Sequence, residues 1–275
     1  MIKIAIPNKG RLSEPTIRLL NEADIKVEAG RQLFCKSGDV EALFVRAGDI
    51  PEYVQDGAAD LGITGIDMVK ETGAKVDVLL DLGFGNSRLV VAVPKESHIK
   101  DKKGIKDGMR IATEFPNLAR KYLQEIGKKA NIVKVSGATE ITPYLGVADM
   151  IIDLASTGTT LELNNLRIID TVLETEAVLI GDRKFMKSSI VTSLKSVIDA
   201  RGMRYLMVNV PTKKIEEVKR TLPSMESPTI IDLAEKEYKA VHTVVSKKEV
   251  HDTIHALKKL GCKDILVLPI EQLVE

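Results

Sequence analysis

Short apolar runs separated by amphipathic stretches fill the first part of the chain. Lys3–Ile6, Val40–Val45, Val78–Gly83 and Arg88–Val93 are apolar runs of strand length, bounded by turn-forming or charged residues. An amphipathic stretch that begins at Ser13 predicts a helix between the first two runs. The order is β-α-β-α-β with short connections, which predicts an α/β sheet.

The same pattern starts again at about Lys95. A strand over Gly108–Thr113 is followed by a helix, and a further strand is predicted over Ile132–Val135. A helix near Glu140 and a buried strand over Met150–Leu154 complete this second set. The repetition predicts a second α/β unit after the first.

The chain is expected to cross between these two units near Gly83–Val93 and again near Ile169–Ile180. Two such crossings predict two lobes that face a cleft, as in periplasmic-binding-protein-like folds. The fold class is therefore α/β. The first lobe is expected to cover about residues 1–87 and 178–201, and the second about residues 88–177.

After Gly202 the pattern changes to βαββαβ, which is the ferredoxin-like arrangement. We therefore predict that residues 202–275 form a separate domain and that residues 1–201 form the two-lobed part. The predicted elements are strands at Tyr205–Val210, Ser227–Asp232, Lys239–Val245 and Asp264–Leu268, and helices at Lys213–Leu222 and Lys247–Leu260.

Composition excludes several classes of protein. The 275 residues carry a formal net charge of +1 and no Trp, which argues against bulk binding of nucleic acid or of a membrane surface. The two cysteines, Cys35 and Cys262, lack metal or redox spacing. Met1–Pro7 enters a strand without a signal-peptide pattern, and no apolar run is long enough to span a membrane. We expect a cytoplasmic protein.

A small-residue loop follows the buried strand at Met150–Leu154. A loop between a strand and a helix N-terminus points backbone N–H groups outward, and hydroxyl side chains add donors, so this loop suits a phosphate. Capping and turn geometry alone would explain the same residue types equally well. The candidate phosphate-binding residues are Ala155, Ser156, Thr157, Gly158, Thr159 and Thr160. Asp153 at the strand end is a candidate either to accept hydrogen bonds from sugar hydroxyls or to hold a metal ion through water.

A basic turn follows the first strand and carries Lys9 and Arg11. Ligands of open α/β sheets lie at this edge, although a solvated basic turn is the simpler interpretation of the turn alone.

His98 is the only histidine before Gly202, so a histidine general base is poorly supported. His251 and His255 share a helix face but lack the pattern of a zinc site. The chemistry is expected to be positioning and charge stabilisation.

The stretch from Glu140 to Leu161 resembles a family signature. That family is ATP phosphoribosyltransferase, in its long form with a C-terminal regulatory domain. Further segments similar to the family lie at Ile6–Leu12, Val45–Pro51, Asp60–Asp67, Arg88–Pro94, Ile111–Asn117, Met207–Pro211, Leu222–Ser224 and Ser227–Thr229. The signature residues are Glu140, Gly146, Ala148, Ile151, Asp153, Leu154, Thr157, Gly158, Thr160 and Leu161.

The resemblance implies that N1 of the ATP adenine attacks C1 of 5-phosphoribosyl 1-pyrophosphate (PRPP) and that pyrophosphate leaves. Mg²⁺ is expected on the phosphates, held mainly by substrate oxygens. The PRPP 5′-phosphate is expected at Ala155–Thr160, with Asp153 on the ribose. The catalytic candidates are Arg46, Arg31 and Lys9. The candidates for ATP binding are Lys9, Gly10, Arg11, Arg46 and Asp67.

The resemblance also implies feedback inhibition by free histidine, bound in residues 202–275 of a homo-oligomer that ranges from dimer to hexamer. Ser227, Thr229 and Thr243 are the candidates for this allosteric site. From the residues alone, a non-catalytic small-molecule binding protein of the cytosol would fit the two-lobed cleft equally well. The basic residues around a phosphate loop favour the enzyme.

Overall fold

The computed structural model describes residues 1–28, 32–222 and 227–274. The chain divides into two compact units, of which the first contains Met1–Asn21 and Ile25–Met186 and the second contains Glu22–Asp24 and Lys187–Glu275. The boundary between residues 201 and 202 that the sequence suggests stays a prediction.

The regular elements follow the predicted order. The strands are β1 (Ile2–Pro7), β2 (Phe34–Ser37), β3 (Val40–Val45), β4 (Leu61–Gly65), β5 (Asp77–Asp81), β6 (Ser87–Pro94), β7 (Arg110–Thr113), β8 (Asn131–Lys134), β9 (Met150–Ala155), β10 (Leu166–Thr175), β11 (Ala177–Gly181), β12 (Met203–Pro211), β13 (Thr229–Asp232), β14 (Tyr238–Ser246) and β15 (Lys263–Pro269). The helices are α1 (Ser13–Glu22), α2 (Ile50–Gln55), α3 (Ile66–Thr72), α4 (Pro116–Glu125), α5 (Thr159–Leu163), α6 (Ser189–Arg201), α7 (Ile215–Thr221) and α8 (Val250–Lys259).

The first unit contains two sheets, and each defines one lobe. The sheet of the first lobe has the order β2-β3-β1-β4-β11-β5, and that of the second lobe has the order β10-β6-β9-β7-β8. The segments Leu82–Asn86 and Glu176 carry the chain between the two sheets. This architecture confirms the predicted α/β class and the predicted return of the chain to the first sheet.

Burial explains why the apolar runs became central strands. Leu89 to Val93 of β6 are fully buried between β9 and β10, and both faces of this strand contact apolar clusters. A strand that is covered on both faces has a continuous apolar run rather than an alternating one. In α4, the buried residues Leu118, Ala119, Tyr122 and Leu123 form the single apolar stripe expected of a surface helix.

Two local predictions were wrong. The hairpin strand β2 was missed; it is an edge strand whose Phe34 side chain is 58% exposed, so it lacks a buried apolar face. The helix predicted near Glu140 is a 3-10 turn over Thr139–Ile141. Pro143 has no N–H to donate to the Thr139 carbonyl, which interrupts α-helical hydrogen bonding at that position, although the N–H groups of Tyr144 and Leu145 still donate to the Ile141 carbonyl.

The second unit contains a four-stranded sheet of order β13-β14-β12-β15. With α7 and α8 this is the predicted βαββαβ arrangement. Its core is a cluster of buried residues that includes Leu206, Val208, Val241 and Leu257.

Candidate active site

The carboxyl ends of the parallel strands β1, β3 and β4 lie side by side in the first lobe. The loops that follow β1 and β3 are joined by a hydrogen bond of 2.8 Å from the Asn8 N–H to the Val45 carbonyl. This edge brings Lys9, Gly10 and Arg46 onto neighbouring loops, as the sequence predicts. Lys9 and Arg46 are exposed, and neither forms an ion pair with a residue that the structure describes. Both cations are therefore available to an anion.

Arg11 and Asp67 have a different environment. Arg11 donates to the Gly85 carbonyl in the interlobe segment and lies 3.7 Å from the Asp67 carboxylate. Asp67 is 1% exposed, and its Oδ1 accepts a hydrogen bond of 2.6 Å from the Thr175 hydroxyl. These contacts hold both side chains against the segment that connects the lobes. Their predicted role in ATP binding stays a prediction.

Gly85 is required for this packing. Its φ of +70° favours glycine, and a Cβ there would overlap Cδ2 of the buried Leu12. We expect Gly85→Ala to lower the free energy of unfolding by about 2–4 kcal/mol, from backbone strain and overpacking together. Gly83→Ala is the matched control because Gly83 has a φ of +67° with open space around it, so it should cost about 1 kcal/mol. Equal losses in urea denaturation would contradict the packing argument.

The phosphate-loop candidates lie at the corresponding edge of the second lobe, from the last residue of β9 to the first turn of α5. Gly158 has a φ of +82°, which turns the chain into α5, and Leu161 is buried and anchors that helix. Ser156, Thr157, Thr159 and Thr160 are exposed, whereas Ala155 is buried at the strand end. The hydroxyls of Thr157 and Thr159 lie 2.9 Å apart. The loop thus presents a group of hydroxyls to solvent.

Asp153 lies at the end of β9 in a partly buried position. Burial, with a smaller contribution from the charges of Glu114 and Glu140, raises the pKa of its carboxyl to about 6, although a hydrogen bond from the Leu154 N–H opposes the shift. That hydrogen bond is 2.8 Å long. The raised pKa means that this carboxyl takes up a proton at a higher pH than an ordinary aspartate does. A partner that donates hydrogen bonds, such as a sugar diol, would favour the ionised form.

A cavity of about 480 Å³ opens where the two lobes meet the interlobe segments. Sequence reasoning identified only Ser156 among its lining residues. Arg88 was placed in a strand but not in a site; its register partners Ala155 and Glu174 put it beside the phosphate loop. The sequence signal that could have pointed to Arg88 was the presence of a basic residue at the start of an apolar strand. The cavity is lined by Ile66, Asp81, Asn86, Ser87, Arg88, Ser156, Glu174, Thr175, Glu176 and Val178.

Arg31, the remaining catalytic candidate, lies outside the described residues. In the part of the chain that the structure describes, no group of three or more His, Cys, Asp or Glu side chains is placed to hold a metal ion. A protein-built metal cage therefore does not fit these residues.

The three allosteric candidates of the second unit do not share one face of its sheet. Thr229 is the register partner of His242, so both side chains point to the same side. Thr243 follows His242 in β14 and points to the opposite side, where it is 7% exposed. Ser227 is exposed just before β13. His242 also lies 2.6 Å from the Tyr205 hydroxyl through Nδ1.

The fold defines the broad class of the protein. The two lobes are similar to the substrate-binding protein of an amino acid ABC transporter, with a TM-score of 0.51, 15% identity, and coverage of 72% of this chain and 93% of that one. With the exposed basic edge and the exposed hydroxyl loop, they define a two-lobed α/β protein of the periplasmic-binding-protein-like fold. Within residues 1–28, 32–222 and 227–274, no helix has the length and apolar character to cross a membrane.

Closer relatives identify the family. The sequence model described as "ATP phosphoribosyltransferase" matches residues 46–200, and that described as "HisG, C-terminal domain" matches residues 200–272. The ATP phosphoribosyltransferase of Methanococcoides burtonii is 48% identical over 284 residues, and that of Methanocaldococcus jannaschii is 45% identical over 288 residues; each match covers 100% of both chains. The chain belongs to the ATP phosphoribosyltransferase family.

A solved structure agrees with this assignment. The chain is similar to one in the ATP phosphoribosyl transferase (HisG:HisZ) complex from Thermotoga maritima, with a TM-score of 0.65, 30% identity, and coverage of 72% of this chain and 99% of that one. The protein is therefore a transferase of this family, which serves histidine biosynthesis. The interpretation as a non-catalytic binding protein is set aside.

Proposed function

We propose that the enzyme transfers the 5-phosphoribosyl group of PRPP to N1 of the ATP adenine. The C1–O bond to pyrophosphate breaks as the N1–C1 bond forms, which yields N1-(5-phosphoribosyl)-ATP and pyrophosphate. The observation that carries this proposal is the presence of two complementary edges. One lobe has a hydroxyl loop beside a carboxylate, and the other has two exposed cations, Lys9 and Arg46, that form no ion pair with a described residue.

The proposed role of each residue follows from the charge of its side chain. The loop from Ala155 to Thr160 receives the 5′-phosphate, and Asp153 accepts hydrogen bonds from the ribose hydroxyls. Positive charge grows on the sugar in the transition state, and the proposed contact of the Asp153 carboxylate with the ribose would stabilise that charge. Negative charge grows on the leaving pyrophosphate, where Arg46 and Lys9 stabilise it more than they stabilise the bound substrate. Arg31 is proposed to assist there.

Mg²⁺ is proposed as the cofactor. Because the described residues offer no cage of carboxylates, substrate phosphate oxygens would supply most of its ligands, as is usual for this ion. When bound, it would neutralise charge on the leaving pyrophosphate.

Free histidine is proposed as a feedback inhibitor that binds residues 202–275 of a homo-oligomer built from dimers up to a hexamer. The adjacency of Thr229 and His242 supports a polar site on the open face of the sheet. The same face carries the exposed apolar residues Ile231, Leu266 and Leu268, which supports a contact surface there. Thr243 would act from the covered face.

The reaction is tested by ultraviolet absorbance on the long-wavelength side of the ATP band, which substitution at N1 should alter. Purified protein is mixed with ATP, PRPP, Mg²⁺ and a pyrophosphatase, with and without histidine. We expect a rise that needs both substrates and that histidine suppresses. A rise that histidine leaves unchanged would disprove the regulation alone. Absence of any rise, from folded protein, would disprove the reaction.

A second arm of this assay tests the histidine site. Ser227→Ala combined with Thr229→Ala should leave the uninhibited rate unchanged, because both residues lie in the second unit, and should weaken inhibition by histidine. Unchanged inhibition in this variant would show that the site lies elsewhere.

A further inference from the structure

Helix α4 of the second lobe begins without a cap from its own segment. The residue before it, Phe115, makes no side-chain capping hydrogen bond, and its own N–H donates to the Thr113 hydroxyl at 2.9 Å. Pro116 in the first position has no N–H. The N–H groups of Asn117 and Leu118 therefore need an acceptor from another part of the chain.

Glu71, in helix α3 of the first lobe, supplies that acceptor. The Asn117 N–H lies 2.9 Å from Oε1 and 3.1 Å from Oε2, and the Leu118 N–H lies 2.9 Å from Oε2. The Asn117 side-chain amide donates to the Glu71 carbonyl at 2.8 Å. A carboxylate at the positive end of a helix dipole is favourable in addition to these hydrogen bonds.

Two more residues of α3 contact the second lobe. Met68 packs against the apolar cluster that contains Phe115 and Tyr122. The Asp67 carboxylate accepts from the Thr175 hydroxyl at the end of β10. Positions 67, 68 and 71 lie on one side of a helix, so a single face of α3 joins the two lobes.

The capped end of α4 adjoins the proposed reaction site. Glu114 lies between β7 and α4, and its charge contributes to the raised pKa of Asp153. Thr113 and Ile152 are register partners, which places the ends of β7 and β9 side by side. Movement of the α4 N-terminus would therefore move the segment that faces Asp153.

We propose that Glu71 is a positioning residue: its carboxylate holds the lobes at the spacing at which Asp153 and the cations of the first lobe act on one substrate pair. The kinetic test of this role rests on the proposed reaction, whereas the distance test below does not. Loss of the carboxylate leaves the reacting groups intact and lowers the fraction of molecules with the competent lobe spacing. Apparent affinity falls in proportion to that fraction.

Kinetics separate positioning from simple stabilisation. We expect Glu71→Ala to raise KM for ATP and PRPP about tenfold with kcat within about twofold, because bound substrates restore the spacing. Glu71→Gln keeps an acceptor oxygen and should recover part of the loss. Asp101→Ala is the matched control: Asp101 caps a turn within the second lobe, through 2.8 Å and 3.3 Å bonds from Lys103 and Gly104. It should lower Tm and leave KM unchanged.

The lobe spacing is measured directly by electron-spin distances between labels at positions 52 and 129, which are exposed residues of the two lobes. The background carries Cys35→Ser, and the labelled chains are diluted with unlabelled ones. Glu71→Ala should broaden the distance distribution, and PRPP with Mg²⁺ should narrow it again. An unchanged distribution, or an unchanged KM in an active enzyme, would overturn the proposal. An inactive wild type would overturn the reaction and leave the distances to decide the role of Glu71.

Discussion

Arg46→Ala should reduce kcat by about 10²–10³ while KM for PRPP changes little, because an electrostatic contact aimed at developing charge contributes about 3–4 kcal/mol to the transition state. The structure favours this outcome because Arg46 follows β3 at the basic edge, is exposed, and has no ion-pair partner among the described residues. Steady-state kinetics with ATP and PRPP varied separately give both parameters.

Two further variants make this result specific. Arg46→Lys keeps the charge but loses the two-pronged geometry of the guanidinium, so it should recover only part of the rate. Arg18→Ala removes another exposed arginine, which pairs with Glu14 on the surface of α1 at 3.0 Å, and should have no effect. A rise in KM with unchanged kcat would instead mean that Arg46 serves ground-state binding.

Asp153→Asn should stabilise the protein at pH 8 and make it a poor enzyme. The folded-state pKa of about 6 exceeds the ordinary 3.8, so the folded state retains a proton that the unfolded state has lost. The contribution of this residue to stability is therefore full below about pH 4 and is lost as the pH rises through 6. Asparagine carries no charge at any of these pH values, so the variant avoids this loss of unfolding free energy. A shift from 3.8 to about 6, at about 1.4 kcal/mol per pKa unit, corresponds to about 3 kcal/mol.

The measurement is urea denaturation of both proteins at pH 4, 6 and 8. The increase in the free energy of unfolding of Asp153→Asn over the wild type should be near zero at pH 4 and largest at pH 8. Asp149→Asn is the control with the opposite sign, because the hydrogen bond from the Arg110 backbone, followed by the Arg110 side chain, lowers the pKa of Asp149. That variant should be less stable at pH 8. A gain at pH 4 equal to that at pH 8 would contradict the ionisation argument.

The catalytic activity of Asp153→Asn should fall, although its stability rises. We expect Asp153→Asn to lower kcat/KM for PRPP by about 10²-fold, since hydrogen bonds to a charged acceptor are worth about 1.5–3 kcal/mol each. In the wild type, kcat/KM should fall below about pH 6 as the carboxyl becomes protonated. A flat profile between pH 5 and pH 8 would show that the ionised form is not required. Together the two results would identify a carboxylate that is kept at some cost to stability.

The sheets of this protein were largely predictable because most strands have a local sequence signal. The run around Leu89–Val93 is apolar on both faces, and the segments before Gly127 and Gly261 have helical periodicity. The exceptions have local causes as well. Strand β2 has no buried face, and Pro143 lacks the N–H that a regular α-helix through Thr139–Ile141 would need.

The site was less predictable because its parts belong to different strands. The loop at Ser156–Thr160 and the turn with Lys9 each have a composition that suggests an anion site, and the structure places each at the carboxyl edge of a sheet. Arg88 gave no such signal, since its relation to the loop depends on the pairing of β6 with β9. The sequence shows that Arg11 is basic. It does not show that the Arg11 guanidinium donates to the Gly85 carbonyl and lies beside the Asp67 carboxylate.

The sequence by itself determined the α/β class, the ferredoxin-like last domain, the phosphate-loop candidate and the family, because periodicity and motif spacing are properties of neighbouring residues. Only the tertiary structure decided the burial that raises the pKa of Asp153 and the interlobe cap of α4 by Glu71. The cap joins residues 46 positions apart, and the pKa reflects packing from several elements. Neither the approach of distant segments nor the exclusion of water between them is encoded in any short stretch of the chain.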